Sequence, residues 1–436
     1  MSQQKLIKPR ILSGFMELSP SKQLIFDNMV EKIKKVYQES CFMPLDTPVL
    51  ELSEILMAKS GGEIDKEVYH FTKGDNDICM RYDLTVPLAR FVSMNSENIA
   101  FPFKRYQIGK VYRGERAQRG RFREFVQCDG DIVGLDELPI AADGECVYLI
   151  DKIFKQLDID IINHISNRNI LVGYCRGLNL QNKTKEVLTI LDKINKIGKD
   201  GVRKELENLG IDENTCEKLL YIISLQGDFK QVLDKLTPLS KDEVFVEGLQ
   251  QLQELNQYIE AYGIDKNRYS LDISIIRGQD YYTGTVFEAS LPSHPEFGTV
   301  CGGGRYDNLA GYFSQKKMPG VGLSIGLTRL FDLLDKNNML PSCPPTNTTL
   351  QIIPLGEHLL ACIELQSYFS KYINCEVNYE NRSFKAKMKE AGKKQIPYVL
   401  IVGDEEVESK LYSLKNMTIG EQYKLSKEDC LKTICK

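Results

Sequence analysis

The sequence predicts an α+β protein: a sheet-bearing core interrupted by a helical insertion, then a small α/β domain. Three observations predict it. First, Lys104 to Gly134 (KRYQIGKVYRGERAQRGRFREFVQCDGDIVG) holds two alternating runs around a basic turn at Ala117 to Gly120, a hairpin signal. Second, from about Tyr174 to Leu255 Lys, Glu, Leu and Ile dominate and apolar residues recur at helical spacing, as at Val187, Leu188 and Leu191. Third, beyond the proline-rich stretch Pro341 to Thr349, segments alternate as β-α-β-α-β.

Composition sets the outer limits. The chain has 436 residues, 42% hydrophobic and 27% charged, which is ordinary for a water-borne protein of two or three domains. A net charge of -4 excludes a polycation, so any nucleic acid is met by local basic patches. Twelve scattered cysteines without a CxxC pair, and four histidines, are poor material for structural zinc. The polar, basic start has no apolar signal segment, and no run approaches the ~20 apolar residues that span a bilayer. Reduced thiols in a cytoplasmic protein are the simplest account.

Taken in order, Lys22 to Ser40 carries a helical apolar stripe through Leu24, Ile25, Met29, Ile33, Val36 and Tyr37. Cys41 to Leu50 reads as extended and is broken by Pro44 and Pro48, with Pro48 either at a sheet or subunit junction or simply at a kink. Alternation through Cys79, Arg81, Asp83 and Thr85 places those four on one strand face. There a carboxylate two residues before a hydroxyl either holds a ligand ammonium or caps a strand end.

In the hairpin the period of two puts Arg105, Gln107, Arg113 and Glu115 on one face of the first arm. It puts Arg121, Arg123, Phe125, Gln127, Asp129 and Asp131 on one face of the second. If the faces coincide, they make a floor of guanidiniums, carboxylates, an amide and a ring, costly to bury without a ligand. Guanidinium forks suit phosphate oxygens and a ring suits a nucleobase; a solvated basic hairpin is the alternative.

Glu137 to Leu157 is helical in pattern, and Ile159 to Val172 is strand-like, with His164 read as a satisfied structural histidine. The buried-strand run Leu271 to Ile276 delivers Arg277 and Gly278, then Tyr281, Tyr282 and a further strand over Thr285 to Ser290. TVCGGGRYDN, Thr299 to Asn308, reads as a glycine turn pressed against a ligand; it is neither a Walker loop nor a dinucleotide fingerprint. In PGVGLSIGLTRLFDLL small residues run into a helix with Arg329 near its start, where a guanidinium is unfavourable without an anion; Arg329 is a phosphate-binding candidate or a plain surface arginine. Phe384 to Lys394 is a basic helix, suited to an RNA backbone or to solvent.

These motifs resemble one family. Tyr112 to Glu115 with Arg123 and Phe125 resembles motif 2 of class II aminoacyl-tRNA synthetases; GLSIGLTRL resembles motif 3; the helix running to Thr47 and Pro48 resembles the dimer-forming motif 1. RGQDYY at Arg277 to Tyr282 and GGRYD at Gly303 to Asp307 resemble the two signature segments of histidyl-tRNA synthetases. The resemblance spans essentially the whole chain. Cys41 stands where motif 1 usually has glycine, Gln279 where leucine is usual, Thr328 where glutamate is common, and Asp131 where many members have glutamate.

The resemblance implies an antiparallel six-stranded catalytic sheet with flanking helices, an inserted helical domain and a C-terminal anticodon-binding domain. The implied boundaries are a catalytic core over 1–173 and 259–340, an insertion over 174–258, a linker over 341–349 and the anticodon-binding domain over 350–436. It implies ATP-dependent activation of L-histidine and transfer to tRNA(His) by a cytoplasmic homodimer without membrane contact, using ATP with Mg²⁺ as substrate and no resident metal.

Residue by residue, the resemblance gives Arg113 to the α-phosphate and the histidine carboxylate, Glu115 to the adenine amino group, and Phe125 to the adenine ring. Arg121, Arg123 and Arg329 are its candidates for the outer phosphates. Asp83, Thr85 and Gln127 would hold the α-ammonium, and Asp131, Tyr282 and Tyr306 would address the imidazole. Tyr281 would wall the pocket, and Arg277 would be the catalytic arginine. The competing reading is a histidine-sensing paralogue without catalysis, of the ATP phosphoribosyltransferase regulatory type; a class II enzyme for proline, threonine or glycine is another.

Overall fold

The computed structural model describes residues 7–58, 67–115, 120–276 and 282–435. They fall into two compact units, one of residues up to Met16 with Met29–Pro341, the other of Glu17–Asn28 with Ser342–Lys436.

The first unit is built on a sheet with nine strands among the described residues. Its strands are β1 (Met43–Pro44), β5 (Phe103–Tyr112), β6 (Glu124–Val133), β7 (Ile162–Asn167), β8 (Gln226–Gly227), β9 (Tyr269–Asp272), β10 (Thr285–Ser290), β11 (Thr299–Tyr306) and β12 (Gly320–Gly326). The spatial order is β1-β5-β6-β12-β11-β10-β7-β9-β8. From β5 to β7 all neighbours are antiparallel, giving the expected six-stranded run. Strand β1 joins β5 in parallel, and β9 joins β7 in parallel. A smaller sheet holds β2 (Leu50–Leu52), β4 (Asn76–Met80) and β3 (His70–Lys73) in that order.

The helix Pro20–Glu39 buries Met29, Ile33, Val36 and Tyr37. The Tyr37 ring stacks on Tyr106 at 5.3 Å and its hydroxyl donates to the Cys128 carbonyl at 3.1 Å. Just past the helix, Cys41 takes a φ of 62°, the left-handed conformation that glycine adopts without cost.

Three local expectations change. Thr85 does not continue a strand: β4 ends at Met80, and Thr85 opens the helix Thr85–Asn95. The glycines of TVCGGGRY lie in strand β11, not in a turn, and at Gly303 and Gly304 the strands beside them leave no room for a side chain. Gly320–Gly326 is strand β12 in mid-sheet, and only from Leu327 does the chain turn into a helix, Leu327–Lys336.

The helix Ala141–Leu157 packs on the sheet, and the buried pair Arg305–Asp143 at 2.5 Å ties it to β11. Between β7 and β9 run six helices, from Arg168–Gly177 to Glu243–Ala261. Four start where an Asn or Asp side chain (Asn167, Asp212, Asp228, Asp242) accepts a backbone N–H of the first turn. His164 sits between the hydroxyls of Ser270 and Ser290, at 2.9 and 2.8 Å, as a satisfied structural histidine.

In the second unit β13 (Leu350–Pro354), β14 (Cys375–Val377) and β15 (Tyr398–Val402) are parallel neighbours, in the order β14-β13-β15. An antiparallel pair, β16 (Tyr412–Asn416) and β17 (Gln422–Leu425), extends the sheet beyond β15. Leu350, Ile352, Phe369, Leu400, Val402 and Leu414 form its core. The helix Phe384–Lys393 is less free than its charge implied: Lys387 is buried and donates to the Pro354 carbonyl at 3.2 Å. Among the described residues no helix is long and apolar enough to cross a membrane.

Candidate active site

The register makes the two hairpin faces one floor. Arg105 lies opposite Asp131, Gln107 opposite Asp129 and Gly109 opposite Gln127, while on the other side of β6 Asp129 faces Ser324 and Asp131 faces Gly322. Period-two alternation then sends these side chains to a common side. Gln107 turns to the sheet edge and donates to Asp46 and Thr47. Arg81 lies over Gly109 and bonds the Thr47 and Lys110 carbonyls, so its role is structural.

One cavity on this floor, about 70 Å³, is lined by Asp83, Thr85, Gln127, Asp129, Asp131, Tyr282, Tyr306 and Ser324 with β12 backbone. Asp83 Oδ1 accepts the N–H groups of Thr85 and Val86 at 3.2 and 3.0 Å, so it also caps the helix that follows. Asp131 accepts the Tyr306 hydroxyl at 2.7 Å and forms an ion pair with Arg105 at 2.7 Å. Arg105 is wholly buried and also donates to the Leu84 carbonyl. A Cβ on Gly322 would stand 2.0 Å from Asp131 Oδ1, so only glycine lets that carboxylate lie against β12.

Burial pushes the Asp83 carboxyl up, against the Val86 N–H and Arg113, and pushes the Asp131 carboxyl up, against Arg105 and Tyr306. Burial raises Asp129 to about 7, against Arg105 and with help from the neighbouring Asp131 charge. The Tyr306 phenol is also raised, by burial and then by Asp131, so it stays a donor.

A second cavity, about 290 Å³, is lined by Arg113, Glu115, Arg121, Phe125, Gln127, Ser324, Arg329 and residues of β11. The Arg113 guanidinium lies over the Tyr82 ring at 4.3 Å and the Phe125 ring at 5.2 Å, and its Nε donates to the Tyr82 carbonyl. Arg121 pairs with Glu115 at 3.1 Å. Arg329 Nη2 donates to the Phe297 carbonyl at 2.8 Å. Gln127 and Ser324 line both cavities, joined by a 2.7 Å hydrogen bond.

Of the candidates read from the sequence, Asp83, Thr85, Gln127, Asp131, Tyr282 and Tyr306 meet around the small cavity, and Arg113, Glu115, Arg121, Phe125 and Arg329 around the large one. Arg123 lines neither: its guanidinium is spent on the carbonyls of Glu115 and Ser13. Arg277 and Tyr281 lie outside the described residues. Sequence reasoning missed Ser324 and Gly322. The alternation of Val321, Leu323 and Ile325 with Gly322, Ser324 and Gly326 could have shown them as one strand face. Among the described residues no group of His, Cys, Asp and Glu is placed to hold a metal ion.

A family model described as histidyl-tRNA synthetase matches residues 14–330, and one described as an anticodon binding domain matches residues 349–436. The chain is 43% identical to a histidine–tRNA ligase of Clostridium tetani, over 98% of each chain, and 39% identical to that of Finegoldia magna, over 96% of this chain and 97% of the relative. The crystal structure of histidyl-tRNA synthetase from Nostoc sp. PCC 7120 superposes with a TM-score of 0.90 at 33% identity, covering 99% of each chain. A Bacillus halodurans structure described as an ATP phosphoribosyltransferase regulatory subunit/histidyl-tRNA synthetase shares the fold at a TM-score of 0.75 and 20% identity. With its motifs, sheet and both domain models in agreement, the chain belongs to the histidyl-tRNA synthetase family.

Proposed function

We propose that the two adjoining cavities are where this chain activates L-histidine with ATP, the amino acid in the carboxylate-lined cavity and the nucleotide in the guanidinium-lined one. The chain is a histidine–tRNA ligase of the class II aminoacyl-tRNA synthetases, making histidyl-adenylate and charging tRNA(His). The carrying observation is the junction itself: Gln127 and Ser324 border both cavities, so groups held in each would meet there. The regulatory paralogue reading has less support, because full-length relatives are histidine–tRNA ligases and the 20% identical structure speaks only for fold.

In this reading Asp83, Thr85 and Gln127 take the α-ammonium, and Asp131, Tyr282 and Tyr306 address the imidazole, with Tyr281 as wall. Gln127 Oε1 has no partner among the described residues, which leaves it free to accept from an ammonium. Phe125 offers a face to adenine and Glu115 an acceptor to its amino group. Arg113 borders the nucleotide cavity and would grip the α-phosphate and the histidine carboxylate that attacks it. Negative charge growing there is stabilised by fixed guanidiniums, without a side-chain nucleophile or base. Arg121 and Arg329 serve the outer phosphates, Arg277 is the catalytic arginine, and Mg²⁺ enters with ATP as part of the substrate. Arg123 instead holds the Glu115 and Ser13 carbonyls.

The same reading takes 1–173 and 259–340 as catalytic core, 174–258 as insertion, 341–349 as linker and 350–436 as the anticodon-binding domain. It has the enzyme act in the cytoplasm as a homodimer, supported by the exposed apolar residues Met43, in the motif 1 segment, and Val49, Leu50 and Leu52, just after it. Pyrophosphate exchange into ATP, assayed across all amino acids, tests the assignment: histidine alone should support it. Arg277→Ala should abolish most of that exchange while histidine still binds. Exchange with proline, or with nothing, would refute it.

A further inference from the structure

Asp129 has no part in the roles assigned above, yet it lines the small cavity between Gln127 and Asp131 on the same face of β6. It is 2% exposed, and its Oδ1 has no partner among the described residues; the Nε and Nη1 of the fully buried Arg105 have none either. Three carboxylates, Asp83, Asp129 and Asp131, thus line one small cavity; among the described residues the fully buried guanidinium beside them is Arg105, and Arg113 bears on Asp83 from the neighbouring cavity. Fully ionised, and with Arg113 and Arg277 committed to the reacting carboxylate and phosphate in the reading above, these three buried carboxylates leave two negative charges that Arg105 does not balance. Such an excess is tolerated only if protons or ligand cations cancel it. An α-ammonium supplies one positive charge. A neutral imidazole leaves the second unmatched; an imidazolium matches it and offers a donor at each ring nitrogen.

We propose that Asp129 is a specificity-determining residue that, with Asp131, holds the substrate ring as imidazolium, so that histidine is bound with two positive charges. The inference rests on the histidine site proposed above and deepens it. Asp129 is faced by Arg105 from β5, Asp131 on its own strand, Asp83 from the segment before the helix Thr85–Asn95, and Ser324 from β12. Its charge is also felt by the Tyr37 phenol and by the Cys128 and Cys301 thiols, all held neutral by burial. In free histidine the ring titrates near pH ~6.5. At pH 8 it would therefore take a proton from the buffer on binding. No bond to carbon or phosphorus changes in this step.

Ring nitrogen-15 NMR of labelled histidine bound to the full-length protein at pH 8 tests the proposal. Imidazolium resonances are expected in the wild type and neutral-ring resonances in Asp129→Asn. Exchange kinetics of that isosteric variant should show the KM for histidine raised about tenfold or more, with the KM for ATP unmoved. A neutral ring in the wild type, or imidazolium unchanged in Asp129→Asn, overturns the inference alone. Loss of histidine-dependent exchange in the wild type would instead overturn the site reading beneath it.

Discussion

Gln127 donates its amide to the Ser324 hydroxyl at 2.7 Å across the β6–β12 pair, so the orientation of one side chain is fixed at the meeting point of two cavities. With the NH₂ group tethered, the carbonyl oxygen is left as a fixed acceptor. Gln127→Ala should raise the KM for histidine by about ten- to hundredfold, the usual worth of a hydrogen bond to a charged group. Ser324→Ala, which only frees the amide to rotate, should raise it several-fold less. Steady-state pyrophosphate exchange measures both.

Arg113 is clamped between two rings and a carbonyl, which makes its plane as important as its charge. Arg113→Ala should lower the exchange rate by about 10²-fold or more. Arg113→Lys should restore little of it, because an ammonium neither stacks nor forks. A lysine variant with near-native kcat would refute the geometric role.

Asp83 has two duties that one substitution separates. Asparagine caps a helix about as well as aspartate but carries no charge. Asp83→Asn should keep the thermal midpoint near that of the wild type while the KM for histidine rises. Asp83→Ala should lose both, at a cost in stability of about 1 kcal/mol. Thermal melts and exchange kinetics on the same samples distinguish the two.

The hairpin was legible because one strong rule, alternation, governs it: Arg105, Gln127 and Asp131 share a face as their numbering demands. The same rule misled at Thr85, where Asp83 captures two backbone N–H groups and starts a helix instead. Glycine hid the rest. In β11 and β12 close strand packing, not turn geometry, requires Gly304 and Gly322, and a single sequence does not distinguish those causes. The β16–β17 hairpin passed unread because its strands are short and polar on their outer face. That Arg123 turns to backbone carbonyls is a tertiary choice, invisible in a motif.

A buried carboxyl raised to about 7 from 3.8 makes the unliganded protein pH-sensitive. Between those values the folded state holds a proton on Asp129 that the unfolded chain has released, so stability falls as pH rises through this window. Below it the effect vanishes, because both states are protonated. Asp129→Asn should remove that slope, leaving the variant more stable than the wild type at pH 8 and little different at pH 4. Denaturant midpoints across pH 4 to 8 check the sign.

Cys41 occupies a left-handed turn at φ 62°. The strain for a residue with a Cβ is about 1 kcal/mol. Cys41→Gly should therefore stabilise the protein by up to about that amount, read as a raised melting midpoint, without affecting exchange.

The helices between β7 and β9 leave and re-enter the sheet on strands that lie side by side, about 5 Å apart. A segment whose two ends are such close neighbours behaves like a graft on a stem. Evolution can lengthen, trim or exchange it without rethreading the scaffold that carries the chemistry. Diversity in what the enzyme touches beyond its substrates would accordingly accumulate there, while the platform beneath keeps its geometry.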